Sequence, residues 1–149
     1  MTAFAIVLRL LLAAGLGAAL GLEREIHQKP AGLRTNMLIA VGSAVFSLIS
    51  IELGAPAGAP DRIAANIITG VGFIGGGAIL RSGRNVTGMT TAATVWVNAA
   101  IGMAAGIGHA ALAVSATGIT LMVLGVLPPI ERYFEERTGI VDQHDRPDH

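Results

Sequence analysis

The chain has 149 residues, 52% of them hydrophobic and only 13% charged, with ten basic and ten acidic side chains and no cysteine. Soluble domains carry about 25% charged residues, so this balance excludes an ordinary water-soluble globule. The missing thiols exclude a disulfide framework, a thiolate metal site and a cysteine nucleophile, and basic residues scattered through short loops exclude nucleic acid as a partner.

Mean hydropathy is +0.65, and no Asp, Glu, Lys or Arg occurs from Asn85 to Ile130. As one helix that run would extend about 65–70 Å at 1.5 Å per residue, roughly twice a hydrocarbon core, so it must cross and return. The sequence therefore predicts an all-α polytopic membrane bundle of about five transmembrane helices, with the bilayer as its main surroundings. The bundle occupies residues 1–130, and 131–149 form a short cytoplasmic tail, partly disordered.

Ala3 to Leu22 is the first apolar stretch of spanning length, with Arg9 inside it. Arg9 followed by apolar and small residues also fits a signal peptide, but the spans that follow make an uncleaved helix simpler. Gly17 and Gly21 form a small-xxx-small pair suited to close helix approach. The loop from Glu23 to Arg34 contains Pro30 and Gly32, which break helices, and is made basic by Arg24, Lys29 and Arg34.

Asn36 to Leu53 forms the second span, with Glu52 near its end, and residues 54–60 form a turn-rich connector. Ile63 to Leu80 is the third span, although its glycines leave a re-entrant loop conceivable. Residues 81–84 form a basic turn. Val86 to Ile107 is the fourth span and Ala110 to Leu127 the fifth, with Pro128-Pro129 expected to end the helix for want of N–H donors. Counting Lys and Arg by side puts Arg24, Lys29, Arg34, Arg81 and Arg84 with the C-terminus, against Arg62 opposite. The positive-inside rule then places the N-terminus outside and the C-terminus in the cytoplasm.

Gly70-Val71-Gly72-Phe73-Ile74-Gly75 matches G-x-G-x-x-G, but no Asp or Glu follows before Glu131 and the flanks are apolar, so a dinucleotide site fails. Gly70, Gly72, Gly75, Gly76, Gly102 and Gly106 read instead as helix-packing positions. Thr87, Thr90, Thr91, Thr94 and Asn98 fall at offsets of 0, 3, 4, 7 and 11, along one helix face, and Arg62, Asn66 and Thr69 do the same on the third span. Two readings of these faces stand side by side: hydrogen bonding between helices, and a polar path for an ion or proton. Arg9 is read as paired with Glu52 or Asp61, or as snorkelling. Glu23, Glu25, Glu52 and Asp61 are candidate Mg2+ ligands, although none lies at mid-bilayer, where a transporter usually binds its ion. The four histidines show no metal-ligand spacing, and no catalytic set assembles, so an enzyme is not expected.

Five ordered motifs carry a family resemblance. These are Gly21-Leu22-Glu23-Arg24-Glu25, Lys29-Pro30-Ala31-Gly32-Leu33-Arg34-Thr35-Asn36 and Arg62-Ile63-Ala64-Ala65-Asn66, then the glycine run from Gly70 to Leu80, and Gly88-Met89-Thr90-Thr91-Ala92-Ala93-Thr94. Over about residues 10 to 110 the chain resembles the MgtC/SapB family. That resemblance implies a multi-pass protein of the bacterial inner (plasma) membrane, linked to magnesium homeostasis and, in some pathogens, to survival inside host cells. It implies action through other membrane proteins, the rotary ATP synthase among them; the glycine-lined surfaces are expected to hold the bundle together, or to join it to a partner or a second copy of the chain. Mg2+ or other cation transport is the alternative, with Mg2+ as ligand or substrate and no other cofactor. The positions matching the family pattern are Glu23, Arg24, Glu25, Lys29, Arg34, Asp61, Arg62, Asn66, Thr90, Thr91 and Thr94. Many members carry a C-terminal ACT-like domain, for which residues 131–149 are expected to be too short. The motifs are expected to pair the Glu23–Glu25 segment with the Lys29–Arg34 loop, capping a face of Asn66, Thr90, Thr91 and Thr94.

Overall fold

The computed structural model describes residues 1–57, 60–82 and 85–138. Five helices and one short strand pair make up these residues: α1 (Ala3–Ile26), α2 (Leu33–Ala57), α3 (Pro60–Gly77), β1 (Leu80–Ser82), β2 (Asn85–Thr87), α4 (Met89–Ile107) and α5 (Ala110–Thr138). Four helices, α1, α2, α4 and α5, include segments long and apolar enough to cross a membrane. The fold is an all-α membrane bundle, as the composition requires.

Each helix boundary has a local cause. Thr2 caps α1, its hydroxyl accepting from the Ala5 N–H at 3.3 Å. The α4 helix closes at Gly108, where φ is +96°, and the His109 N–H turns back to the Ala104 carbonyl at 2.9 Å. Gly88, with φ of +87°, opens α4, and any side chain there would collide with the Ala78 carbonyl.

Contacts between glycines and facing main chains fix the helix directions. A Cβ on Gly17 would stand 2.7 Å from the Asn36 carbonyl oxygen, and one on Gly21 2.6 Å from Leu33 Cα, so the end of α1 lies antiparallel on the start of α2. A Cβ on Gly102 would stand 2.8 Å from Ala40 Cα, and one on Gly106 2.8 Å from Ala44 Cα. Asn36, Ala40 and Ala44 thus climb α2 in step with Asn98, Gly102 and Gly106 on α4, and the two helices are parallel. The α3 helix must therefore carry the chain back, and Gly75 near its end rests on Ala92 near the start of α4. Ile67 and Val71 of α3 pack with Val95 and Ala99 of α4 in one buried cluster. A second cluster joins Ala13 and Leu20 of α1, Ala40 and Ala44 of α2, Ile101 and Ala105 of α4, and Ala113 of α5.

Three sequence expectations are corrected. The third helix ends at Gly77, not Leu80, and Leu80–Ser82 and Asn85–Thr87 form an antiparallel strand pair in which Leu80 pairs with Thr87 and Arg81 with Val86. Three successive glycines end the helix, and Ile79, Leu80, Val86 and Thr87 suit extended backbone. The apolar part of α3, Ile63–Gly77, is accordingly about 22 Å long, shorter than a hydrocarbon core of roughly 30 Å. Second, α5 runs through Pro128 and Pro129 to Thr138. Each proline removes its own N–H from the ladder, but φ near −65° is already helical, and the residues after them re-form their own bonds. Third, the connector expected at 54–60 is shorter, because α2 continues to Ala57 and α3 starts at Pro60. The tail beyond Thr138 lies outside the described residues.

Candidate functional site

The motifs at the ends of α1, α2 and α4 converge on one end of the bundle. Residues 27–32 link α1 to α2 through two left-handed residues, Gln28 with φ of +53° and Ala31 with φ of +57°. Non-glycine residues seldom adopt such values, so this turn needs holding, and two side chains do it. The Glu25 carboxylate accepts the Leu33 N–H at 2.8 Å, placing a negative charge at the N-terminus of α2, where the helix dipole favours it. From the other side the Asn36 amide donates to the carbonyls of Ala31 and Gly32.

Asn36 is also the centre of a deeper contact. The Asn98 amide of α4 donates to the Asn36 main-chain oxygen at 2.7 Å and to its Oδ1 at 3.1 Å. Both side chains are wholly buried. Toward the loop on α4, Thr94 and Thr91 are also buried, and Arg24 of α1 donates from Nη2 to the Thr91 hydroxyl at 3.1 Å. Arg24 is itself only 5% exposed. Its acidic neighbour Glu23 stands 3.9 Å from Nη1, too far for a hydrogen bond, and turns its other oxygen to within 3.1 Å of His27 Nδ1. Arg24 Nε, Glu23 Oε2 and Asn98 Oδ1 are buried with no hydrogen-bond partner among the described residues.

The expected motif residues thus divide. Glu23, Arg24, Glu25, Thr91, Thr94 and Asn98 come together at or below the loop. Thr90 and Asn66 do not join them, since both face outward, and Lys29 and Arg34 are exposed. The expected cap over Asn66, Thr90, Thr91 and Thr94 is corrected to one over Thr91, Thr94 and Asn98. Thr90 lies about 100° round the helix from Thr91, and α3 buries its Ile67 and Val71 edge instead. The side chains of Asp61 and Arg62 lie outside the described residues. Glu52 is exposed beyond the far end. Among the described residues no three His, Asp or Glu side chains group as metal ligands, so Glu23, Glu25 and Glu52 do not come together as one set.

Arg9 bonds a main-chain oxygen, while Asp61, one of its expected partners, has its side chain outside the described residues. Its Nη1 donates to the Gly106 carbonyl at 3.0 Å and contacts the Met1 sulfur. The last carbonyls of a helix lack intrahelical donors and sit at the negative end of its dipole, so a guanidinium is favoured there. Gly17, Gly21, Gly102, Gly106 and Gly75 lie against neighbouring helices, whereas Gly70, Gly72 and Gly76 have open space around them. The pattern Gly72-x-x-x-Gly76 therefore packs no helix of this chain.

Sequence reasoning missed Asn36 and the serine stripe that continues it. Asn36, Ser43, Ser47 and Ser50 are all buried and fall at offsets of 0, 7, 11 and 14 on α2. The spacing test that singled out the α4 threonines would have found them.

Comparison with known proteins gives the same answer as the motifs. The family model described as the MgtC family matches residues 10–133. Protein MgtC of Salmonella typhimurium (strain LT2) is 49% identical over 121 residues, covering 81% of this chain and 52% of that protein. YhiD of Escherichia coli (strain K12), provisionally named a magnesium transporter, is 47% identical over 127 residues, covering 80% of this chain and 59% of its own. An uncharacterized protein of Synechocystis, slr0014, is 41% identical over 131 residues, covering 88% and 56%. The chain thus spans about half the length of the curated relatives it matches. No solved structure matches it. With a family model covering most of its length and relatives near half identity, this chain belongs to the MgtC family.

Proposed function

We propose that this chain is the membrane bundle of a bacterial inner-membrane protein of magnesium homeostasis and adaptation to low Mg2+. In this reading it acts by binding other membrane proteins, the rotary ATP synthase being one candidate, without passing ions or performing catalysis. The observation that carries the reading is the closed interior. One turn into α2 from the 27–32 loop, Asn36 and Asn98 fill the space between α2 and α4 with neutral amides, Asn98 donating to both oxygens of Asn36 and both side chains wholly buried. Among the described side chains the carboxylates Glu23, Glu25 and Glu52 lie toward the two ends of the bundle, and a transporter needs a seat for its ion near the midplane. The link to magnesium is supported by the name of the YhiD relative. The inner-membrane setting is supported by the family resemblance, and the orientation by the basic residues Arg24, Lys29 and Arg34 at one end.

The test is a flux measurement on the purified chain in liposomes across a Mg2+ gradient. No flux above empty liposomes is expected, while a membrane partner is retained on the purified chain. A cation-transport reading is favoured by one observation, the unsatisfied buried oxygens Glu23 Oε2 and Asn98 Oδ1. It requires Mg2+ flux that is lost in both Glu23→Gln and Asn98→Leu.

A further inference from the structure

The outward face of α3 carries polar and small residues alongside one large aromatic. Asn66, Thr69, Gly70, Phe73 and Gly77 fall at offsets of 0, 3, 4, 7 and 11 and all are exposed, Phe73 to 86%. The Thr69 hydroxyl is satisfied by the Ala65 carbonyl at 3.0 Å. The Asn66 amide has no partner among the described residues. Because Gly75 of α3 meets Ala92 of α4, counting back along the antiparallel pair sets Asn66 level with the middle of α4. An unpaired primary amide at that depth faces hydrocarbon, where nothing can accept its two donors or donate to its oxygen.

Helix length gives a second, separate reason for this face to be covered. The apolar run of α3 reaches about 22 Å, roughly 8 Å short of the hydrocarbon thickness. A short apolar segment exposed to lipid thins the bilayer around it, and association with another protein surface relieves that cost.

We infer that the Asn66–Phe73 face of α3 is the contact between two copies of this chain in the membrane. A primary amide is its own complement, since it carries donors and an acceptor. About a two-fold axis Asn66 of one copy can donate to Asn66 of the other and accept in return, so both are satisfied by one symmetric contact. The described side chains of the face are uncharged, so no partner of opposite charge is called for. Open space at Gly70 and Gly77 lets the second backbone approach. This inference rests on the fold and the bilayer and is independent of whether the bundle passes ions.

The absence of cysteine makes the test direct. Thr69→Cys and Phe73→Cys are made singly in the full chain, with Leu112→Cys on α5, 60% exposed, as the control. Oxidation in native membranes and in lipid nanodiscs should link the two α3 variants to their own copies, with at most a tenth of that yield at position 112. Asn66→Leu, a change to a lipid-compatible side chain, should leave the monomer folded and weaken dimerisation about five- to tenfold, the size of two average interhelical hydrogen bonds. Asn66→Gln should keep part of the affinity. A chain that stays monomeric at every protein-to-lipid ratio overturns the inference. So do equal cross-linking at positions 69 and 112, cross-linking only to a different protein, and an Asn66→Leu dimer as tight as the parent.

Discussion

Asn36 joins three parts of the molecule through one side chain. Its amide holds the left-handed turn at Ala31–Gly32, and its two oxygens receive Asn98 from α4. Asn36→Ala would therefore release both loop carbonyls and remove the Oδ1 acceptor of Asn98, whose bond to the main-chain oxygen of residue 36 survives, whereas Asn98→Ala removes only the two bonds to α4. Leaving buried polar groups unpaired costs about 1–3 kcal/mol each. Asn36→Ala should accordingly lower the melting temperature in a fixed detergent more than Asn98→Ala does. A double-mutant cycle between the two should give a coupling of about 0.5–2 kcal/mol, the range found between membrane helices. Additive effects would mean that the bond from the Asn98 amide to Asn36 Oδ1 contributes nothing. Arg24 makes the complementary case. Its planar fork reaches the Thr91 hydroxyl while its stem is buried, and removing a hydrogen bond to a charged group costs about 1.5–3 kcal/mol. Arg24→Leu should thus destabilise the bundle by about 2 kcal/mol in denaturant titrations, and Arg24→Lys should recover less than half, because an ammonium lacks the fork.

Among the helices, α2 and α4 meet closely, and small residues make that possible. Gly102 and Gly106 face the main chain at Ala40 and Ala44, with no room for a methyl group. Close approach in lipid depends on such residues, because packing rather than water drives helices together. Gly102→Ala and Gly106→Ala should each destabilise by about 1–3 kcal/mol, the usual cost of overpacking. Gly72→Ala meets nothing within 4 Å and should be neutral or stabilising by up to about 1 kcal/mol through helix propensity. Melting curves of the three variants in one detergent give the comparison, and equal losses would refute the assignment of tight and open glycines. Both glycine pairs show the same spacing in sequence, so the difference between them was not legible there. Which of two identical patterns is used depends on the facing helix, and only the parallel run of α2 beside α4 supplies an Ala40 carbonyl to meet. Arg9 was opaque for a related reason. Its acceptor is a main-chain oxygen at Gly106, and a backbone carbonyl leaves no mark in sequence that a search for carboxylates could find. The strand pair at 80–82 and 85–87 was hidden by its apolar residues, which extended the apparent span past Gly77. By contrast α1, α4 and most of α2 and α5 were readable from apolar length alone, because a bilayer sets that length. The loop motif was readable in composition but not in role: Glu25 was expected to pair with basic side chains, and it caps the N-terminus of α2.

At the level of the whole molecule, the parallel run of α2 and α4 constrains topology more than any hydropathy profile. Two parallel neighbours joined in sequence by α3 require that α3 return the chain through the depth of the bundle, despite an apolar run too short to be counted as a full span. The loop at 27–32 and the strand pair at 80–82 and 85–87 then lie at one end, with His109 and the Arg9 contact at the other. The first end carries Arg24, Lys29 and Arg34, which the positive-inside rule assigns to the cytoplasm. Single cysteines in place of Gln28, Val86 and His109 make the arrangement measurable. An impermeant thiol reagent added to intact cells should label position 109, and only after permeabilisation should it reach 28 and 86. Labelling of 28 and 109 from the same side would contradict the antiparallel run of α1 and α4 fixed by Arg24–Thr91 at one end and Arg9–Gly106 at the other. Opposite labelling with the sides reversed would keep the fold and overturn the orientation. It would also move the buried Arg24–Thr91 contact to the outer face of the membrane.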